Sequence, residues 1–444
     1  MTNEQSDGPL RRYLRTFDDQ LIPKDIPSSL PLLDELRRDR PFREVFAGVD
    51  ALFVQHHLAP LVPRVKGMSG EGLDLKRCWF VDVPYSTNDQ VRQRLIELVH
   101  QENHWPEPFD DPLKPYAVNQ MRRVERVLEA IADRATPRRL LVLDDGAYFT
   151  RSLARLLKRR PSLATAFEGA CIVEQTTYGD RYLRASGQQT LRSLRMPAVS
   201  IARCKTKLRF ESHFIGASVS RAILKTLSSS HGGVNRLGNL AVIGFGAVGS
   251  ATVRRLRAAL PRKSIDVIDT NPETFQAISS LGCRPLGALD PSRSYDLVAG
   301  CTGYASFKLN QRSQLADGAV LVSGSSAAIE FNREGFIELA DASPNDEIEV
   351  LDREATQKKG IHATITMRRE AGRQFSFLSA GFPACFTGNL ETLPIPSIEP
   401  THCLMVAAAC QAIRQREPKL DQIHPDVDNW IYEHALRSLA EHSR

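Results

Sequence analysis

Three glycines spaced Gly244-x-Gly246-x-x-Gly249, with an acid at Asp269, have the types and spacing to hold a dinucleotide. The first glycine permits a tight strand-to-helix turn, the second lets backbone approach a pyrophosphate, and the third lets helix and strand pack closely. The N–H groups that open the following helix, at Ala247, Val248 and Gly249, are then available to phosphate oxygens. Glycines also serve ordinary turns, so the flanking pattern has to decide. An apolar run from Leu240 to Ile243 leads into the turn, and an arginine-bearing helical pattern follows it. A second apolar run, "SIDVIDTNP" (264–272), contains Asp269, 20 residues after Gly249. A carboxylate there accepts hydrogen bonds from the adenosine ribose and repels a 2′-phosphate, which favours NAD over NADP.

The motif starts past the middle of a 444-residue chain, long enough for two or three domains. What precedes it alternates short apolar runs with helical patterns. Strands are expected at "DALFVQH" (50–56), "RCWFVDV" (77–83), "RLLVLDD" (139–145) and "GACIVEQ" (169–175), with helices near 88–101, 119–134 and 149–159. Such alternation implies a mostly parallel sheet covered on both faces. Each strand ends in polar residues: His56, "PYST" (84–87), Asp144-Asp145 and "EQTTYG" (174–179). Polar turns are ordinary there, but ligands of open parallel sheets also bind beyond the carboxyl ends of strands. Four such ends point to a substrate cleft.

The expected fold is therefore α/β, with two doubly wound parallel-sheet domains, the second a Rossmann NAD-binding domain inserted in the first. A proline-punctuated N-terminal arm spans 1–45, a substrate or catalytic domain 46–236, the Rossmann domain 237–392, and a segment returning to the substrate domain 393–444. Later strands are expected at 295–300, 318–324 and 373–379, and helices at 212–228, 401–414 and 425–440. The glycine- and serine-rich 228–238 reads as a hinge, and the proline-rich 391–400 as the second crossing.

Composition narrows the partners. A net charge of +6 is mild, and no stacking aromatics interleave with the basic runs, so nucleic acid is not expected. No stretch approaches the ~20 apolar residues of a membrane span, and the first residues lack the apolar core of a signal peptide. Eight cysteines without CxxC spacing suit reduced thiols in the cytoplasm. The pair His56-His57 has no second cluster at ligand spacing, so no metal is expected. The expected partner is a small molecule, with a homo-oligomer, by default a dimer, as a further possibility.

The order of motifs resembles the S-adenosylhomocysteine hydrolase (adenosylhomocysteinase) family over about residues 50 to 414. "LVLDDGAYFT" is similar to the family's LDDGGDLT, "EQTTYG" to EETTTG, and "KTKLRFES" to TKSKFDN. "VIGFGAVGSA" is similar to the GYGDVGKG turn and "DTNP" to EIDP, while "CTGY", "LADGAVLVSG" and "SAGFPACF" stand in the places of later motifs. In that family bound NAD transiently oxidises a ribose 3′-hydroxyl; the ketone acidifies the neighbouring C–H, and the 5′-thiol is eliminated. The resemblance implies Lys207 at the reacting hydroxyl, Glu211 beside it where the family has Asp, and Asp145 and His56 in proton transfer. It also implies Thr176, Thr177, Thr302, Gly303 and Ser376 near the nicotinamide end of NAD. Plainer readings stand beside these: a solvated lysine, a turn or helix cap at Asp144 and Asp145, strand threonines, and a merely hydrogen-bonded histidine.

The departures are as informative. The family's second Glu of EETTTG is Gln175 here, Leu58 and Pro60 replace polar adenine-recognition groups, and Phe382 replaces the histidine of GHPS. The histidine of NIGH becomes Ser325 or Ser326, and the ending "LRSLAEHSR" lacks the family's Lys/Tyr tail. The expected function is thus NAD-dependent oxidation, transient or net, of a hydroxyl on a nucleoside, sugar or related molecule other than S-adenosylhomocysteine. A non-catalytic NAD-binding paralogue with a regulatory role and an authentic S-adenosylhomocysteine hydrolase are the alternatives.

Overall fold

The computed structural model describes residues 8–20, 22–40, 44–99, 105–109, 111–134, 138–230, 237–343, 346–351, 361–368 and 373–442. Strands numbered along the chain are β1 (Val49–Gln55), β2 (Cys78–Asp82), β3 (Arg139–Asp144), β4 (Cys171–Glu174) and β5 (Ala198–Ser200). Then come β6 (Asn239–Ile243), β7 (Ser264–Ile268), β8 (Arg284–Leu286), β9 (Tyr295–Gly300) and β10 (Leu315–Ser323). The series ends with β11 (Glu347–Leu351), β12 (Thr364–Arg368), β13 (Gln374–Phe377) and β14 (Leu420–Gln422). They divide between two compact units, the first of Met1–Phe109, Ala117–Glu211 and Asn389–Arg444, the second of Asp110–Tyr116 and Ser212–Gly388.

The first unit carries one sheet in the order β14-β5-β4-β3-β1-β2, with every neighbouring pair parallel. All residues of β1 and β2 are buried, as a sheet covered on both faces requires. The apolar helix Ile395–Arg414, begun by prolines, packs on β3, β4 and β5. Among the described residues no helix is long and apolar enough to cross a membrane. The eight cysteines are free and buried.

The second unit's sheet runs β11-β12-β13-β10-β9-β6-β7-β8. Its six-stranded parallel part, read from β8 to β13 and renumbered within the unit, has the order 3-2-1-4-5-6 of the dinucleotide-binding fold. Antiparallel β12 and β11 extend it beyond β13. The protein is therefore α/β with two doubly wound sheets.

Three features differ from the sequence reading. Residues expected as an arm form the helices Gly8–Arg15 and Pro31–Asp39, which bury Leu10, Tyr13, Leu32, Leu33 and Leu36 within the first unit. The prolines taken for loop punctuation include Pro31, which starts a helix where no N–H is needed. The Glu399 carboxylate accepts the Leu32 and Leu33 amides at 2.6 and 3.3 Å. Next, the division falls at Glu211/Ser212 rather than at 236/237, because the helix Ser212–Ser230 joins the second core: Val219, Ile223 and Leu227 pack with Leu240, Val242 and Leu256. Gly216 permits this close packing, since a Cβ there would lie 2.5 Å from that of Ala251. Lastly, the return falls at Gly388/Asn389 rather than 392/393. The hinge segment 228–238 includes 231–236, which lie outside the described residues.

Candidate functional site

In the second unit the strand order reverses between β6 and β9, so the crevice expected of such a sheet opens at the ends of these strands. Gly244 sits there at φ +99°, and a Cβ on it would come within 2.8 Å of the Cys301 carbonyl oxygen at the end of β9. A Cβ on Gly249 would overlap the Gly244 carbonyl oxygen, so helix Ala247–Ala259 reaches its strand only through glycine. Gly246 differs: a Cβ there would meet nothing within 4 Å. That open space lies at the helix start, where no side chain caps Ala247–Ala259 and no acid stands in the first turn. Its leading amides, which have no partner within the helix, are left for an anion.

Asp269 follows β7 and accepts Phe245 N–H at 2.6 Å through one oxygen and Asn271 N–H at 2.8 Å through the other. A carboxylate accepts about four hydrogen bonds, so two ribose hydroxyls still fit. Glycines, helix start and acid together suit a dinucleotide.

The groups assigned to the nicotinamide end are engaged differently. The buried Glu330 carboxylate accepts Thr302 N–H at 2.7 Å, Gly303 N–H at 2.5 Å and Thr302 Oγ1 at 2.9 Å, and it also takes the Ser325 hydroxyl. Ser376 lies within β13 and shares a 2.9 Å hydrogen bond with Thr366 of β12. Phe382 is a core residue, edge-on to Tyr116.

In the first unit the order reverses between β1 and β3. The residues that follow these strands are His56 and Asp145, and they meet: His56 Nε2 lies 2.8 Å from Asp145 Oδ2. His56 Nδ1 lies 2.6 Å from Ser86 Oγ, which follows β2 and donates to the Val83 carbonyl at 2.9 Å. Both ring nitrogens thus face acceptors. Gln175, after β4, donates to Asp145 Oδ2 at 3.5 Å and accepts from Gln55 Nε2 at 3.3 Å. Four strand ends therefore join in one hydrogen-bonded row along the carboxyl edge. The neighbouring His57 turns the other way: both its nitrogens are buried without a partner between Phe80 and Trp105, and burial lowers its pKa to about 4.

Asp144 and Glu174 hold this edge in shape. Asp144 accepts the amides of Asp145, Tyr148 and Phe149 at 2.9, 3.2 and 2.8 Å, capping the helix Tyr148–Arg159. Glu174 accepts those of Gly146, Ala147 and Thr176 at 3.2, 2.8 and 2.7 Å. Burial, with the neighbouring carboxylates, pushes Asp144 up to about 7 and Glu174 well above its usual range. Thr176 donates to Glu174 at 2.7 Å and caps the helix Thr177–Tyr182 by accepting Gly179 N–H at 3.0 Å; Thr177 is exposed.

Lys207 and Glu211 pair as i,i+4 neighbours in a wide π-type turn, and both side chains are largely buried. The turn is pinned by Asp428, whose carboxylate accepts Lys205 N–H at 2.7 Å, Thr206 N–H at 3.1 Å and the Thr206 hydroxyl at 2.6 Å. The helix Ile395–Arg414 packs against both this turn and the helix Leu61–Ser69. It brings in two groups the sequence did not single out. His402 is buried with Nδ1 unpartnered, and burial and the charges of Arg64, Lys207 and His56 lower its pKa well below the usual value. Glu391, just before the helix, is 1% exposed, has Oε2 unpartnered, and is raised to about 7 by burial, against the opposing pull of the Thr392 amide and, after it, His56. Both arrive from at least 180 residues beyond Glu211 in sequence, with no local motif to flag them. Among the described residues the one grouping with metal-like spacing, Glu35, Asp39 and His434, shares no residue with this edge.

No family model matches the chain. It is 25% identical over 409 residues to uncharacterized proteins of two Mycobacterium tuberculosis strains, CDC 1551 / Oshkosh and H37Rv. The match takes in 90% of this chain and 71% of theirs. Among solved structures, CAD from Helicobacter pylori complexed with NADP(H) is 18% identical over 28% of this chain and 35% of its own, with a TM-score of 0.21. A dipicolinate synthase chain from Bacillus halodurans is 13% identical over 38% of this chain and 56% of its own, with a TM-score of 0.26.

Proposed function

We propose that the protein is an NAD-dependent enzyme that oxidises, transiently or net, a hydroxyl of a nucleoside, sugar or related small molecule. The observation that carries this reading is the meeting of His56 and Asp145 at the switch point of a sheet whose edge also holds buried polar groups without partners. A dinucleotide-type turn in the other unit supplies the second requirement. The amides of Ala247, Val248 and Gly249 would hold the pyrophosphate, and Asp269 the adenosine ribose. When bound, NAD supplies the acceptor for the hydride that a hydroxyl-bearing carbon must lose.

The chain's own residues manage protons. Lys207 passes a proton to Glu211, its i,i+4 partner, and then accepts the hydroxyl proton. His56, held by Asp145 on one nitrogen and Ser86 on the other, exchanges the next proton. The scaffold is read as adenosylhomocysteinase-like, with a different substrate. Leu58 and Pro60 are buried and their side chains offer no hydrogen bond to an adenine edge, at a cost of about 1–3 kcal/mol for each group left unpaired.

A second reading has one observation in its favour. Glu330 already takes the Thr302 and Gly303 amides, which suits a protein that holds NAD without turning it over. The test is to incubate NAD-loaded protein with S-adenosylhomocysteine and with a panel of nucleosides and sugars, following NADH absorbance and adenosine release. A redox signal with some nucleoside or sugar, absent in Lys207→Ala, is expected. Rapid adenosine release would restore the hydrolase, and a silent panel with NAD firmly bound would favour the non-catalytic protein.

A further inference from the structure

A charge without a counter-charge lies beside the His56–Asp145 pair. Arg64, on the helix Leu61–Ser69, is 2% exposed. It hydrogen-bonds through Nη2 to the neutral Gln55 side chain, and its Nε has no partner. Among the described residues no carboxylate pairs with it; burial alone pulls its pKa down to about 9. Elsewhere in the same unit the largely buried arginines have their acids: Arg123 pairs with Asp82 and Arg77 with Asp50. A desolvated guanidinium left alone is strongly unfavourable, and its fork of donors matches the oxygens of a carboxylate or phosphate.

The location is that of the candidate site. Gln55 ends β1 and links Arg64 to Gln175, and Gln175 links to Asp145. The helix Ile395–Arg414, packed on the helix that carries Arg64, adds two buried atoms without partners, Thr401 Oγ1 and His402 Nδ1. We infer that the substrate carries an oxyanion, a carboxylate or phosphate, and that Arg64 is the residue that receives it. The inference rests on the first unit being the substrate site, and it names the class of molecule: an acidic sugar or a phosphorylated polyol or nucleoside.

The test needs no cofactor. The intact protein is melted in rising inorganic phosphate, and separately in acetate, with chloride holding ionic strength constant. A saturable rise in Tm with phosphate alone identifies a phosphoryl group, with acetate alone a carboxylate; no rise with either overturns the inference. Arg64→Met is expected to melt at or above the wild type without anion, since it removes an uncompensated buried charge. Its affinity for the effective anion should fall at least about 100-fold. An Arg64→Met variant that melts lower and still responds would make the arginine structural and overturn the inference.

If that variant does not fold, Gln55→Glu decides, because it supplies the missing counter-charge from inside. It should melt higher and lose the anion response; an undiminished response overturns the inference. Failure of the redox reading is distinguishable. A silent oxidation panel with anion binding intact leaves Arg64 in its role. Neutral sugars oxidised with the same kcat/KM as their acidic or phosphorylated counterparts would remove that role and leave the oxidation standing.

Discussion

The two sheets reverse their strand order in the same way, yet their carboxyl edges are made of different material. At β6 and β9 the edge is backbone: glycines that bring carbonyls and amides close, and a helix start without a cap. At β1 and β3 it is side chain: a histidine, an aspartate, two glutamines and an arginine in one hydrogen-bonded row. A backbone edge recognises what many molecules share, a pyrophosphate, and its demands are written locally as glycine spacing. A side-chain edge recognises one molecule, and its members can come from anywhere in the chain. The difference separates a part that can be reused from a part that must be refitted for each substrate.

The sharpest break between the edges is Lys207→Ala. It should lower the rate of any detected oxidation by ~100-fold or more, while calorimetry finds NAD affinity unchanged; loss of both would mean that the lysine supports the fold. The next effect is electrostatic and belongs to the side-chain edge alone. Glu391 has its folded pKa raised from 4.5 to about 7 by burial, so the native state holds a proton the unfolded state has released. Its stabilising contribution is whole below pH 4.5 and is lost as pH rises through about 7, a change on the order of 3 kcal/mol. Glu391→Gln should reduce, by that amount, the fall in denaturant-derived stability across the window it shares with Asp144, and make the protein more stable than the wild type at pH 8. A variant with the wild-type slope would place the proton elsewhere.

On the backbone edge, two substitutions at neighbouring glycines should behave as opposites. Gly246→Val should fold normally, because nothing stands near its side chain, but lose at least about 100-fold in NAD affinity, ~2.7 kcal/mol. Gly249→Ala, with its Cβ driven into the Gly244 carbonyl, should destabilise the protein itself by about 1–3 kcal/mol. Equal melting temperatures for the two would contradict the assignment of space at Gly246. The smallest effect expected is cofactor choice: calorimetry should show NAD preferred to NADP at least about tenfold, through the Asp269 carboxylate, and equal binding would remove Asp269 from that role.

Sequence legibility followed the same divide. The strand at 295–300 and the glycine turn were readable because their signals are contiguous: an apolar run, then residues required by backbone geometry. His56 and Asp145 were readable singly, as polar ends of strands, but only the β1–β3 adjacency explains why they touch. Arg64, Glu391 and His402 were not readable. Arg64 sits in a short helix where an arginine ordinarily faces water, and the other two reach the edge on, or just before, the helix Ile395–Arg414, far along the chain from β1 and β3. One signal was available for Arg64: the polar Gln55 that closes a fully buried strand needs a partner nearby. Motif correspondence at Thr302 and Gly303 missed Glu330, because an acid arriving from 27 or 28 residues downstream leaves no trace in the local pattern.

The order of pieces along the chain also sets an order of events at the ribosome. When Gly388 has emerged, every strand of the second sheet has been made. The first sheet at that moment lacks its edge strand β14 and the helix that covers β3, β4 and β5. Domains fold as units during synthesis, and exposed apolar faces are what chaperones bind. The nascent protein thus carries a complete second sheet and an unfinished, sticky first one until residues 389–422 are translated. A chain cut at residue 390 should keep every strand of the second sheet and aggregate through the bare face of the first.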